Sequence, residues 1–220
     1  MTRRLVVFDV DGTLVDSQAH ILAAMTQAFA AQGLASPPRA EVLGIVGLSL
    51  PEAIAQLVPD LNKAEQASLV TGYKLAFSRL RATHLSPLYP GAAMALEMLA
   101  RQDGVVFGIA TGKSRRGLDA ILQAHGWTRL FATVQVADDH PSKPHPSMLL
   151  SCLRETGIDA SCAVMVGDTR YDMEMARSAG VHALGVSWGY HPASVLGANV
   201  IGEFAALPAA LHHIWEGTSE

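Results

Sequence analysis

Cysteine is scarce in this chain. Only Cys152 and Cys162 are present, too few for a disulfide framework, and both are expected as small buried apolar side chains in a reducing compartment. Charge is scarce too. Charged residues make up 16% of the 220-residue chain and the formal net charge is −4, which leaves no basic footprint for nucleic acid. No apolar run reaches the roughly 18 residues of a membrane span. Arg3 and Arg4 precede apolar residues, but Asp9 and Asp11 interrupt that run well short of a signal segment. Glycine-rich Walker loops, dinucleotide fingerprints and Cys/His zinc spacings are missing, and no histidine pair at ligand spacing has a third beside it. No repeat or low-complexity tract occurs. The expectation is a soluble cytoplasmic protein that engages neither nucleic acid nor membrane.

What remains is apolar. Half of the residues are hydrophobic, and a chain of this length buries roughly 70% of its unfolded surface without staples. Five short runs read as strands: Leu5–Val10, Val105–Ala110, Thr133–Ala137, Ala163–Val166 and His182–Val186. From Pro90 onward they alternate with helical segments at Ala92–Leu99, Arg116–His125, Pro146–Glu155 and Asp172–Ser178. Such alternation predicts an α/β fold with a Rossmann-like parallel sheet, whose ligands bind at the carboxyl ends of the strands.

The stretch from Asp16 to Ser86 breaks the alternation and contains no good strand. Ser17 is a plausible N-cap for a helix through Ala31, Gly33 a stop, and Pro51–Leu57 and Ala64–Leu80 further helices. The expected organisation is a core of residues 1–15 and 87–220 with an inserted α-helical cap of residues 16–86. The tail Gly217–Glu220 is expected to fray.

Four clusters fall at predicted strand ends or in loops beside them. Asp9-Val10-Asp11-Gly12-Thr13 places two carboxylates on one side of an extended strand, where one can attack while the other moves a proton. Thr111-Gly112-Lys113 offers a hydroxyl for an oxyanion and a glycine for close backbone approach. Ser142-Lys143-Pro144-His145-Pro146 puts a cation on a loop stiffened by prolines. Gly167-Asp168-Thr169-Arg170-Tyr171-Asp172 adds a second acidic pair. Carboxylate oxygens suit Mg²⁺, which also takes a substrate phosphate oxygen. Lysine and threonine suit the remaining phosphate oxygens.

These motifs, in this order and with a helical insertion after the first, resemble the haloacid dehalogenase superfamily, more narrowly its phosphoglycolate phosphatase-like branch with a helical cap. The resemblance implies Asp9 as the nucleophile that forms an aspartyl phosphate, and Asp11 as general acid and then base. It implies Mg²⁺ held by Asp9, Asp168 and the Asp11 carbonyl, phosphoryl binding by Thr111 and the Gly112 amide, and charge compensation by Lys143. Asp172 would hold Lys143 or a metal-bound water from outside, although its position also suits an N-cap. The implied partner is a small phosphomonoester, for a monomer or homodimer.

Other polar residues have plainer readings. Asp16 and Ser17 look like a cap and hinge. Lys113, Arg115 and Arg116 read as a solvated basic face, and Asp138, Asp139 and His140 as loop residues. Arg170, Tyr171 and His191 lie close enough to border the cleft. The loop Val46–Leu50 is the candidate specificity segment and carries no arginine to clamp a substrate carboxylate; Arg39, Lys63, Lys74, Arg79 or Arg81 would have to serve. A phosphoglucomutase-like transfer uses the same nucleophile and remains an alternative, as does a non-catalytic phosphate-binding module. Dehalogenation has no need of Asp11, and phosphonate cleavage would need a cap lysine such as Lys63 or Lys74 as a Schiff base.

Overall fold

The computed structural model describes residues 3–217. The expected fraying over Gly217–Glu220 therefore falls, beyond Gly217, outside the described residues. In chain order the elements are β1 (Arg4–Phe8), α1 (Gln18–Ala30), α2 (Arg39–Gly44), α3 (Leu50–Leu57), α4 (Lys63–Thr83) and α5 (Ala92–Ala100). There follow β2 (Val105–Thr111), α6 (Arg115–Ala124), β3 (Thr133–Val136), α7 (Ser147–Thr156), β4 (Ala163–Gly167) and α8 (Arg170–Ala179). The chain closes with β5 (His182–Val186), β6 (Val200–Ile201) and α9 (Leu207–Glu216).

The strands form one parallel sheet in the order β3-β2-β1-β4-β5-β6. Both faces are covered, as an all-parallel sheet requires. The period-2 alternation of β1 shows how. Val6 and Phe8 pack with Leu96, Leu118 and Leu207 on one face. Leu5 and Val7 pack with Met148, Cys152 and Met175 on the other. Cys152 is thus the small buried apolar residue expected of it, while Cys162 is half-buried.

Two of the sequence expectations need correction here. Among the described residues there are six strands, not five; the sixth, Val200–Ile201, pairs with β5 over two residues only. The first strand ends at Phe8, and Asp9 and Val10 lie beyond it. Its backbone pairing still continues one step, since the Asp9 amide donates to the Val166 carbonyl at 2.9 Å.

Helices α1 to α4 share an apolar cluster of their own around Ile21, Met25, Phe29, Ile54 and Leu69. Two strands of chain join them to the sheet and run side by side. The Asp16 amide donates to the Pro87 carbonyl at 2.8 Å and the Tyr89 amide to the Leu14 carbonyl at 3.0 Å. Helix α4 begins with a capping box, Asn62 accepting from the Glu65 amide while Glu65 accepts from the Asn62 amide. Helix α1 lacks such a cap: Ser17 precedes it, but its hydroxyl makes no capping bond. Asp16 Oδ1 instead accepts from the Gln18 amide at 3.3 Å.

Candidate active site

Strand order reverses between β1 and β4, whose chains leave to opposite sides and open a crevice at their carboxyl ends. Asp9 follows β1 there, and Asp168 follows β4. The chain after Asp9 turns at once, with the Leu14 amide donating to the Val10 carbonyl at 3.0 Å. Gly12 makes that turn possible at φ +87°, and a Cβ at that position would lie 2.2 Å from Asp168 Oδ2. Only glycine lets the first motif close over the fourth.

Lys143 enters from the loop before α7 and is fully buried between two carboxylates. Its Nζ donates to Asp9 Oδ1 at 2.9 Å and to Asp172 Oδ1 at 2.6 Å. Burial opposes its charge, but Asp172 and Asp9 outweigh burial and hold the ammonium above its usual range. Asp172 is fully engaged: Oδ2 accepts from the Thr169 amide at 3.0 Å and from the Thr169 hydroxyl at 2.7 Å. The N-cap of α8 is therefore Thr169, and Asp172 closes a capping box from the first turn. Asp168 is clamped from both sides, Oδ1 by the Thr13 hydroxyl at 2.9 Å and Oδ2 by the Tyr190 amide at 2.8 Å.

One lysine does not balance this cluster. Carboxylate oxygens of Asp9, Asp168 and Asp172 lie within 4.8 Å of one another, and all three side chains are buried. Burial pushes Asp9 up to about 6, with Lys143 pulling against it. Burial, then the neighbouring Asp172 and Asp9, hold Asp168 well above the ordinary carboxylate range. The group lacks positive charge, and its donors are all hard oxygens, so a hard divalent cation fits it. Asp172 already meets Lys143 and Thr169, and Asp9 and Asp168 are the neighbouring carboxylates that could hold such an ion.

Asp11 stands at the edge of a cavity of about 360 Å³, which Asp9, Thr111 and Gly112 also line. Asp11 Oδ2 pairs with Lys113 Nζ at 2.7 Å, and Oδ1 accepts from the Ser17 hydroxyl at 2.5 Å. Tyr190 Oη lies 3.0 Å from Ser17 Oγ and completes that arm. Lys113 is thus not part of a solvated face. Its ammonium also lies 4.9 Å from the centre of the Phe77 ring on α4, so one side chain links the sheet, Asp11 and the helical insertion. Gly112 touches that insertion closely: a Cβ there would lie 2.6 Å from the carbonyl oxygens of Gly47 and Leu48.

Asp9, Asp11, Thr111, Gly112, Lys143, Asp168 and Asp172 therefore meet in one place, and Val46–Leu50 lines the same cavity except for Ser49. Ser49 is tied to the Lys143 loop, its amide donating to Ser142 Oγ at 2.8 Å. Asp138 reaches the cavity wall, where its carboxylate accepts from the Arg115 amide at 2.7 Å. His140 turns away, between Ser147 and Gln135. Arg170 and His191 line a separate cleft with Arg39. His191 Nδ1 accepts from the Arg170 amide at 3.2 Å, so Nε2 is the donor to the Gly44 carbonyl at 3.2 Å. Lys113, Ser17, Thr13 and Tyr190 carry site roles that sequence reasoning missed. Thr13 sits inside the first motif, and Lys113 directly after Thr111-Gly112, which was the available signal for both.

The model of the family described as haloacid dehalogenase-like hydrolase matches residues 6–186. A protein named "Probable phosphatase IndB" from Dickeya dadantii (strain 3937) is 33% identical over 94% of this chain and 93% of its own length. A phosphoglycolate phosphatase from Agrobacterium fabrum is 31% identical over 94% of this chain and 91% of its own. Among solved structures, a predicted phosphoglycolate phosphatase from Haemophilus somnus 129PT superposes with a TM-score of 0.83. It is 25% identical and covers 95% of this chain and 98% of its own.

Proposed function

The chain belongs to the haloacid dehalogenase-like hydrolases, and from that premise we propose that it is a Mg²⁺-dependent phosphatase of small phosphomonoesters that works through an aspartyl phosphate on Asp9. The observation that carries this reading is the buried Asp9–Lys143–Asp172 array beside Asp168, with Asp9 and Asp11 lining one cavity. Phosphoglycolate is the first specific substrate to try, because the Agrobacterium relative bears that name.

Asp9 has one oxygen on Lys143, while Oδ2 makes no hydrogen bond among the described residues. That free oxygen attacks phosphorus, the bond from phosphorus to the ester oxygen breaks, and Asp11 supplies the proton to the departing alcohol. Water then attacks the aspartyl phosphate, gives its proton to Asp11, and frees Asp9 and inorganic phosphate. Lys143 offsets the charge that Asp9 and a phosphate dianion bring together, which would otherwise repel. Lys113 balances Asp11 once its proton has left, and Ser17 fixes the carboxylate's orientation. The Thr111 hydroxyl and the Gly112 amide are the donors for the phosphoryl oxygens. Mg²⁺ held by Asp9 and Asp168, with the Asp11 carbonyl, would supply further charge neutralisation at the phosphoryl group. Residues 16–86 act as a cap over this cavity, and its approach to Gly112 excludes bulk water during the transfer.

Phosphate release from a panel of phosphomonoesters, with Mg²⁺ or with EDTA, tests the reading. Metal-dependent release from at least one compound is expected. Release that EDTA leaves unchanged, or none from any compound, would refute it.

A further inference from the structure

The cavity that opens on Asp9 and Asp11 is much larger than a phosphoryl group needs, and its far end has a distinct chemistry. Beyond the phosphoryl end, the helical insertion walls it with Ile21 and Met25 from α1, Val46 and Leu50 from the loop and start of α3, and Tyr73 and Phe77 from α4. The two rings stack on one another, centroids 5.8 Å apart and planes at 29°, and form one aromatic wall. No carboxylate enters from the cap side. Four cations also line this cavity, and one of them is paired with a carboxylate. Lys113 is committed to Asp11, Arg81 donates to the Gly117 carbonyl at 3.3 Å, and Lys74 and Arg116 are exposed at the rim.

An apolar concavity holds water poorly, and an apolar ligand body that displaces that water gains affinity. We propose that the cap half of the catalytic cavity binds the leaving alcohol of the substrate as an apolar body of about aromatic-ring size. The chain then prefers phosphomonoesters of apolar alcohols to those of short hydrophilic ones. This rests on the phosphatase reading above and adds to it the chemical class of the leaving group. The Tyr73 hydroxyl makes no hydrogen bond among the described residues, so it and Ser78 on the same helix offer polar anchors beside the apolar wall.

The test compares kcat/KM with Mg²⁺ for ethyl phosphate, 2-phosphoglycolate and 2-phenylethyl phosphate. Ethanol and 2-phenylethanol are both primary alcohols of similar leaving ability, so their ratio reports the apolar body alone. Burial of a phenyl group predicts a ratio of roughly tenfold to hundredfold in favour of 2-phenylethyl phosphate. Phe77→Ser is expected to reduce that ratio several-fold, and Leu50→Ser serves in its place if the first variant does not fold. A ratio near unity, a phosphoglycolate value above that of 2-phenylethyl phosphate, or a ratio unmoved by either folded variant would overturn the inference while leaving the phosphatase reading intact. No metal-dependent release from any of the three compounds would overturn the inference, and none from the wider panel would overturn the phosphatase reading with it.

Discussion

Replacing Lys143 with methionine removes the only lysine or arginine paired with Asp9 or Asp172 among the described residues while keeping an unbranched apolar stem. The lysine side chain is 0% exposed and its two partners are 2% and 0% exposed, so solvent does not screen the loss. Breaking a buried pair by removing one partner costs about 3–5 kcal/mol, because the remaining charge is stranded. Here two carboxylates are stranded, next to a third. The pH dependence has a definite sign. Asp9 already titrates near 6 in the folded chain, against an ordinary value of 3.8, chiefly because it is buried, and Lys143 is what restrains it. A carboxyl whose folded value is raised favours the folded state below its ordinary value, and that contribution is lost as pH rises through the folded value. Without Lys143 the folded value climbs further, so Lys143→Met is hurt most at about pH 8 and recovers toward about pH 5 as the folded carboxyls take up protons. Urea unfolding in EDTA, followed by the fluorescence of the three tryptophans, gives both stabilities. The expected difference is about 3–5 kcal/mol near pH 8, shrinking toward pH 5. A difference below about 1 kcal/mol near pH 8, or one that widens on acidification, would refute the charge accounting.

Lys113→Met should lower kcat by roughly tenfold to hundredfold with little change in KM, because Lys113 positions Asp11 rather than the substrate; Lys113→Arg should recover part of it, and an unchanged kcat would remove Lys113 from the mechanism. Glu155 titrates below its ordinary 4.5 because its carboxylate accepts from Thr133 at 2.6 Å, with Gln135 adding to this at 2.9 Å. Its contribution to stability is present above 4.5 and is lost as pH falls through the lowered value. Thr133→Val should therefore lose stability at neutral pH and show a shallower decline in acid than the parent; parallel acid limbs in urea unfolding would contradict this.

The sheet was readable because parallel strands buried on both faces show as near-continuous apolar runs, and the runs at β1, β2 and β4 are of that kind. β6 was not, since two residues carry no period. Helix α2 spans six residues after a proline pair and has no room for a pattern. Helix α9 does carry one, with Leu207, Leu211 and Ile214 buried at helical spacing, but it lies after the last motif and leads to no further strand among the described residues. The acidic residues stood out because buried strand ends rarely carry unpaired charge, and Lys143 because prolines stiffen its loop. Lys113 and Ser17 did not. Each has a plain local reading, a solvated basic residue and an N-cap hydroxyl, and only the fold brings them to Asp11. The clamp on Asp168 is invisible for another reason: its donor at Tyr190 is a backbone amide, and every residue but proline has one.

Rapid acid quench during turnover, followed by peptide mass analysis, tests most directly whether Asp9 is the nucleophile. A phosphoryl group on the peptide that contains Asp9, present in the parent chain and missing from Asp9→Asn, is the predicted result. Turnover by Asp9→Asn at a rate near that of the parent, or a phosphoryl group on any other residue, would contradict the account.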